Sequence, residues 1–174
     1  MRGDTGPIQV GSDRQLFLNE LWFDSQDNVR LRMHPPVVRE AVLKADQPWE
    51  NGGINLPNVV MDGDRYRMWY RCDDTAEGNP RFTAYAESED GIHWEKPSLG
   101  IVEYEGSKDN NLVWIGDEGM DLTPFRDDNP NAPDDERYKG VVRPHAGKVI
   151  HAVVSPDGLH WRLKQSEPIL DDPP

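Results

Sequence analysis

Alternating apolar and polar residues predict that this chain is built mainly of β-strands. Asn58–Met61 and Tyr66–Cys72 are β-rich runs joined by Asp62-Gly63-Asp64, a pattern typical of a hairpin. In Arg81–Ser88, apolar and polar side chains alternate, which predicts a third strand. A tight turn then leads into Ile92–Pro97, predicted to begin a short fourth strand.

The same order of elements occurs a second time. Residues 136–142, residues 149–155 and Leu159–Lys164 are predicted strands, with a turn at Gly147-Lys148 between the first two. The run Met120–Phe125 precedes them and is predicted to be the first strand of this unit.

One heptapeptide pattern, Ser-x-Asp-Gly-x-His-Trp, marks both units, at Ser88–Trp94 and at Ser155–Trp161. Asp-Gly supplies the positive φ of a tight turn, and the serine can bond to the turn backbone. The tryptophan falls on the following strand, where it can pack between sheets. Repeated four-stranded sheets predict an all-β fold of the β-propeller type. Two ordinary hairpins in an unrelated β-sandwich are the alternative.

Residues 37–45, VVREAVLKA, do not follow the β-pattern. Their apolar positions fit helical spacing. The segment is short, however, and Pro35, Pro36 and Pro48 flank it. We expect an extended or irregular segment.

Charge and composition narrow the possible partners. The 174 residues carry a formal net charge of −13, and 36% of them are hydrophobic. The negative charge argues against nucleic acid as a partner, because a phosphate backbone binds mainly to lysine and arginine. A neutral carbohydrate meets no such penalty. No stretch approaches the roughly 20 apolar residues of a membrane span, so we expect no membrane partner.

Motifs for cofactors and metals do not occur in the sequence. There is no H-E-x-x-H and no phosphate-binding G-x-x-x-x-G-K, and a single cysteine, Cys72, excludes a cysteine-based zinc cluster. The segment from Asp127 begins like a calcium loop, but Ala132 stands at the glycine position and Tyr138 at the glutamate position. We expect neither a cofactor nor a metal.

The twin turns, PWENGGINLPNV, DGDRYRMWYRC and ERYKGVV together resemble the five-bladed β-propeller glycoside hydrolases. These are families 32 and 43 and the family-32-like glycosyl hydrolases of bacteria, and the resemblance covers about residues 15–170. It implies hydrolysis of a glycosidic bond in an oligo- or polysaccharide. It also implies about two blades of a five-bladed ring, and therefore the N-terminal part of a longer enzyme.

The expected division of the chain follows from this resemblance. An N-terminal segment covers residues 1–54, the first blade residues 55–104 and the second blade residues 105–170. Residues 171–174 would begin the missing continuation. Open blade edges then predict self-association.

The resemblance also implies catalytic carboxylates. In these families a first-blade aspartate acts as nucleophile or base, a second-blade Arg-Asp-Pro motif positions the substrate, and a later glutamate is the acid. Arg126 and Asp127 match the second motif except that Asp128 replaces the proline. Leu56 stands before Pro57 where an aspartate is expected, so Glu50 is the candidate replacement.

The remaining candidates are predicted to bind the substrate. Asn55 and Asn58 suit sugar hydroxyls, and Trp49 could stack on a sugar ring. Structural roles are the alternative, since Asn serves turns and Trp fills cores. Because Leu56 departs from the family pattern, a non-catalytic propeller that binds glycan or protein is the alternative function.

Overall fold

The computed structural model describes residues 11, 12, 16, 23, 25–75, 81–116, 121–144 and 149–170. The chain divides into two units, Met1–Arg39 and Glu40–Pro174. The described residues of the first unit form neither helix nor strand. Residues 37–45 are also without helix or strand, which confirms the expectation for that segment.

The described residues of the second unit form eight strands in two four-stranded antiparallel sheets. The first sheet comprises β1 (Ile54–Asp62), β2 (Arg65–Asp73), β3 (Arg81–Ser88) and β4 (Leu112–Ile115). The second comprises β5 (Thr123–Arg126), β6 (Tyr138–Val142), β7 (His151–Ser155) and β8 (Arg162–Leu163). Short 3₁₀ turns occupy Pro48–Glu50 and Asp134–Glu136. The prediction of an all-β fold with four-stranded antiparallel units is confirmed.

The fourth strand of the first sheet is not where the sequence placed it. Within Ile92–Pro97 only Glu95 pairs with β3, through a single bridge to Glu87. The paired strand is β4, which is aligned with Phe82–Ala84 of β3. The first sheet therefore continues past Tyr104, the predicted end of the first blade, to Ile115. The predicted turn at Gly147-Lys148 and the segment 171–174 lie outside the described residues.

Both heptapeptides form the same hydrogen-bonded turn. Ser88 Oγ accepts a bond from the Gly91 amide at 2.9 Å, and Ser155 Oγ accepts one from the Gly158 amide at 2.8 Å. Each glycine has a positive φ, 75° and 77°, which other residues adopt only with strain. The predicted turn, with its glycine at positive φ and its serine bond, is confirmed. The predicted place of the tryptophans is wrong, because Trp94 and Trp161 lie just outside the strands.

The aspartate and histidine of each repeat complete the turn. Asp90 Oδ1 accepts two backbone amide bonds of 2.8 Å, and its Oδ2 lies 2.6 Å from His93 Nδ1. Asp157 does the same, with His160 Nδ1 at 2.7 Å. Each histidine ring is therefore hydrogen-bonded to the aspartate of its own turn.

The first strands of the two sheets lie next to each other. β1 contacts β5, and the two strands run in the same direction, because Asn58 reaches Leu122 and Asp62 reaches Arg126. Between the sheets lies a core cluster of Trp69, Tyr85, Val113, Leu122, Tyr138, Val142 and Val153. Side-by-side first strands with a packed wedge behind them are the arrangement of consecutive propeller blades.

Large apolar side chains on the first strands are exposed to solvent. These are Leu56, Val59 and Met61 on β1 and Phe125 on β5. Self-association through the open blade edges stays a prediction. Among the described residues, no helix is long and apolar enough to cross a membrane.

Candidate functional site

β1 and β5 begin side by side, next to the end of β2. We call this polar end of the strands the mouth, and it comprises Asn55, Arg71, Asp73 and Asp121. Asn55 pairs with Arg71 across β1 and β2. Arg71 Nη1 lies 3.1 Å from Asp121 Oδ1, and its Nε lies 3.5 Å from Asp73 Oδ1. These three charged side chains are partly exposed, between 16% and 26%. The mouth thus holds the Arg71 guanidinium between two carboxylates, with the Asn55 amide beside it, and Arg81 Nε lies 3.8 Å from Asp73 Oδ1.

The backbone at the mouth departs from regular β-geometry. Leu56 has a φ of 50° and Asp121 a φ of 56°, although neither is glycine. The ladder between β1 and β2 shifts register between Asn55 and Asn58. A leucine at positive φ is a clear outlier, and such outliers concentrate at functional sites.

Asn58 ties the two first strands together at this end. Its side-chain amide donates to the carbonyl oxygens of Leu56 and Leu122, each at 3.1 Å. The first of these bonds holds the strained residue and the second holds the start of β5. The structure therefore gives Asn58 a positioning role beside the mouth.

The mouth matches the chemistry of a neutral polyol. A guanidinium offers several N–H donors in a fixed plane, and carboxylates offer acceptors beside it. Charge-assisted bonds of this kind are stronger than neutral ones. Arg71 Nε and Asp73 Oδ1 are buried atoms without a hydrogen-bond partner in the described part of the chain, and they face each other at 3.5 Å. A ligand can therefore reach these two side chains only through their other, partly exposed atoms.

Arg126 and Asp127 lie at the opposite end of the same strands. Arg126 Nη1 bonds to Asp62 Oδ1 at 2.5 Å. Asp127 accepts the Asn129 amide at 2.9 Å and forms an ion pair with Lys139. The hydrogen bond from Lys139 is the main reason that the pKa of Asp127 is lowered. Asp127 therefore stabilises the loop to which it belongs, and it lies away from Asn55 at the other end of the strands.

A cluster of charged and aromatic groups closes that opposite end. Asp62 also accepts bonds from Tyr138 and from Arg67, the latter at 3.3 Å. Burial raises the pKa of Asp62, but the Tyr138 bond and the two arginine charges outweigh burial and lower it overall. The Arg67 guanidinium lies 4.9 to 5.3 Å from the ring centres of Tyr138, Tyr85 and Trp69. This cluster joins the two sheets.

Glu50 is fully buried on the other face of the first sheet. Its Oε1 accepts the Tyr70 hydroxyl at 2.7 Å, and its Oε2 accepts Lys96 Nζ at 2.7 Å. Oε2 also accepts the amides of Asp46 and Gln47. Tyr70 alternates with Trp69 along β2, and Trp69 faces the second sheet, so Glu50 and the second sheet lie on opposite sides. The geometry favours a structural role for Glu50.

Trp49 belongs to the core on that same face. Its Nε1 donates to Asn111 Oδ1 at 3.0 Å, and its ring meets Tyr104 edge-on with centres 5.6 Å apart. It is only 7% exposed. The packing is that of a core tryptophan and leaves little surface for a sugar ring.

The predicted site residues thus lie in three separate places. Asn55 and Asn58 are at the mouth, Arg126 and Asp127 are at the far end, and Trp49 and Glu50 are behind the first sheet. The mouth residues Arg71, Asp73 and Asp121 were not predicted as binding residues. Arg71 and Asp121 lie within DGDRYRMWYRC and Met120–Phe125, but these patterns indicated only strands and the family resemblance. The described residues include no group of three His, Cys, Asp or Glu side chains arranged to hold a metal ion.

Sequence comparison links the chain to longer proteins. No protein-family model matches it. Two uncharacterised proteins of Mycobacterium tuberculosis, from strains CDC 1551 / Oshkosh and ATCC 25618 / H37Rv, are 40% identical over 129 residues. The match covers 70% of this chain and 38% of each relative. The A type blood N-acetyl-alpha-D-galactosamine deacetylase of Flavonifractor plautii is 25% identical over 130 residues, covering 68% of this chain and 15% of that protein.

Solved structures of two glycoside hydrolases are similar in part. The sucrose-6-phosphate hydrolase of Lactobacillus gasseri aligns with a TM-score of 0.46 and 15% identity, covering 74% of this chain and 26% of that one. A glycosyl hydrolase from Bacteroides ovatus aligns with a TM-score of 0.43 and 18% identity, covering 66% and 32%. The chain spans less than two fifths of the length of the curated relatives and of these structures.

Proposed function

We propose that the chain supplies two blades of a five-bladed propeller glycoside hydrolase, which binds an oligo- or polysaccharide at the mouth. One observation carries the proposal. The first strands of two consecutive sheets start side by side and bring Arg71, Asp73 and Asp121 together with Asn55. In a propeller, first strands line the central channel, so this polar group lies where a ligand can reach it.

Charge and comparison support the class of substrate. The net charge of −13 disfavours a polyanionic ligand, whereas sugar hydroxyls can accept bonds from a guanidinium and donate bonds to a carboxylate. The relative from Flavonifractor plautii is named as an enzyme acting on an N-acetylgalactosamine group, which is a carbohydrate. The resemblance to families 32 and 43 points to hydrolysis of the glycosidic bond.

In this proposal the four mouth residues hold the sugar. Arg71 donates to ring hydroxyls, Asp73 and Asp121 accept from them, and Asn55 does both. Asn58 keeps the Leu56 carbonyl and the start of β5 in place. The catalytic assignments of Asp127 and Glu50 stay predictions, and so does substrate contact by Arg126 and Trp49.

A non-catalytic glycan-binding propeller is the second candidate, favoured by one observation. Leu56 is 51% exposed at the mouth, at the position where the resemblance implies a catalytic aspartate. Its side chain cannot take part in acid–base chemistry, and the buried Glu50 is already fully bonded. Sugar binding without hydrolysis would fit this arrangement.

Two measurements on the protein as its gene encodes it separate these candidates. A glycan array tests binding, and a hydrolysis screen on fructose-, arabinose-, xylose- and N-acetylgalactosamine-containing saccharides tests turnover. Binding with turnover supports the hydrolase, and binding without turnover supports the second candidate. The absence of both binding and turnover would overturn both candidates. Binding that Arg71→Ala leaves unchanged would also overturn both, because each places the sugar at the mouth.

A further inference from the structure

Leu56 has a strained backbone for two separate reasons. Its φ of 50° lies in the left-handed region, which a bulky side chain rarely adopts. Pro57 follows it, and the residue before a proline is normally restricted to extended backbone. The other described non-glycine residues with a positive φ are Asn28, Glu105 and Asp121, all of them polar. Glycine or asparagine would adopt this conformation with less strain, so the backbone does not explain a leucine here.

A bulge in β1 imposes this conformation. The ladder with β2 shifts register between Asn55 and Asn58, so that Leu56 and Pro57 together lie opposite one residue, Tyr70. Such bulges redirect side chains and are frequent next to active sites. The side-chain amide of Asn58 donates to the Leu56 carbonyl at 3.1 Å and holds the bulge in place. The bulge explains the positive φ, but a glycine or an asparagine would serve it as well.

Packing within the chain does not explain the leucine either. Leu56 is 51% exposed and belongs to neither of the two core clusters that the described residues form. It directly follows Asn55, so it is an apolar side chain at the edge of a polar site. A strained residue that presents an apolar group to solvent beside such a site is the pattern expected of a ligand contact.

The chemistry of the mouth defines which part of a ligand Leu56 would meet. In the proposed site the four polar residues bond to hydroxyl groups, whereas leucine has neither a donor nor an acceptor in its side chain. A flat aromatic ring is suited to cover the C–H face of a sugar, but neither Leu56 nor any of the four mouth residues is aromatic. A compact aliphatic side chain instead complements a methyl group. The ligand that matches both kinds of residue is a sugar with hydroxyls and a methyl.

We propose that Leu56 is a specificity-determining residue that selects a methyl-bearing sugar, either N-acetylated or deoxygenated. Its side chain contacts the methyl group while the four mouth residues bind the hydroxyls. This inference rests on the proposed saccharide site, and it applies to both candidate functions because each places the sugar at the mouth. The strained backbone keeps the side chain at the mouth and lowers the stability of the protein.

Matched pairs of immobilised sugars test the selectivity of the protein as its gene encodes it. N-acetylgalactosamine is compared with N-formylgalactosamine, and N-acetylglucosamine with N-formylglucosamine. 6-Deoxy-D-galactose is compared with L-arabinopyranose, and 6-deoxyglucose with xylose. Within each pair a hydrogen replaces one methyl group. We expect about fourfold tighter binding of the methyl-bearing member in at least one pair. The pair that shows the preference distinguishes an acetyl methyl from a deoxy-sugar methyl.

Variants at residue 56 link the preference to the strain. Leu56→Asn relieves the positive φ and removes the apolar group, so it should raise the urea midpoint and abolish the preference. Leu56→Met keeps an apolar side chain and should keep the preference. The matched control is Val59→Asn, which replaces another half-exposed apolar residue of β1. It should leave the preference unchanged and should not raise the urea midpoint.

Each remaining outcome has a defined meaning. Equal binding of both members in every pair would overturn the inference and leave the saccharide site in place. The absence of binding to any sugar would overturn the inference together with the proposed function. An unchanged preference in Leu56→Asn would show that the side chain does not contact the ligand. A lower urea midpoint in that variant would show that Leu56 packs against another part of the protein. Either of these two results would also overturn the inference.

Discussion

Trp69 of the first sheet and Gly158 of the second are joined by an indole-to-carbonyl hydrogen bond of 2.7 Å. The bond lies in the core between the sheets, where Trp69 also meets Tyr85 and Trp161 edge-on. The turn of the second repeat is therefore a joint between sheets as well as a local turn. The first repeat has the same sequence pattern but no such partner among the described residues.

This difference predicts unequal effects of the same substitution. Gly158→Ala and Gly91→Ala should both lose roughly 1–2 kcal/mol of stability, because each glycine has a positive φ. Only Gly158→Ala should lose a further amount, about 1–3 kcal/mol, because its Cβ would lie 2.9 Å from Trp69. Urea unfolding of both variants measures the difference. Equal losses of stability in the two variants would mean that the sheets can move apart to make room for this Cβ at little cost in free energy.

The buried pair of Glu50 and Lys96 should affect folding more than function. Glu50→Gln leaves the largely buried Lys96 ammonium without its buried counter-charge, at a cost of about 3 kcal/mol. Thermal and urea unfolding should both report this loss. A variant that melts like wild type but loses turnover would instead indicate that Glu50 is catalytic.

A double variant provides the control for Glu50. Lys96→Met removes the charge that Glu50→Gln strands, so combining them should recover part of the lost stability. If the two losses simply add, the ion pair is not the reason for the destabilisation.

The strands and turns could be predicted because their signals are local. Asp-Gly turns and alternating residues specify β2, β3 and the two heptapeptides within a few positions. β4 could not be predicted in this way. Leu112–Ile115 is a short apolar run, and its pairing with Phe82 depends on a long loop that returns the chain to β3. Glu95, in the segment chosen from the sequence, makes only one bridge.

The candidate site was harder to predict, because its residues come from three distant segments. Arg71 and Asp73 end β2, Asp121 precedes β5, and only the packing of two sheets brings them together. The family resemblance directed attention to Asp127 and Glu50. The structure places Glu50 in the turn before β1 and Asp127 in the loop after β5, each already bonded.

The repeated turns should make the free energy of unfolding depend on pH in the acidic range. Burial raises the pKa of Asp157, but backbone and side-chain bonds from His160 outweigh it and lower the pKa to about 2. A depressed pKa contributes stability that is present above the ordinary aspartate value and is lost as the pH falls through the folded value. Urea midpoints should therefore fall between about pH 4 and pH 2. Asp157→Asn should be less stable near neutral pH and should show a flatter acid dependence.

The first turn should make stability depend on pH in a higher range as well. The hydrogen bond that His93 donates to the Asp90 carboxylate raises the pKa of His93, and the same bond lowers the pKa of Asp90. A raised histidine pKa contributes stability that is fully present below about 6.5 and is lost as the pH rises through the folded value. His93→Gln should therefore cost more stability at about pH 5.5 than at about pH 8.5. A loss that does not change with pH would show that the charge on His93 is not involved.

Saccharide binding should distinguish the mouth from the far end of the strands. Asp121→Asn removes a carboxylate charge beside Arg71 and should weaken binding at least tenfold, or about 1.4 kcal/mol. Asp127→Asn should change affinity less than twofold on this proposal, because that carboxylate bonds to Lys139 and Asn129 at the other end. The family resemblance predicts the reverse order, with a tenfold loss for Asp127→Asn. Asp128→Asn and Asp134→Asn are controls for loss of an acidic charge. Titration calorimetry on variants with matched melting temperatures decides between the two ends, and equal affinities for all four variants would contradict both.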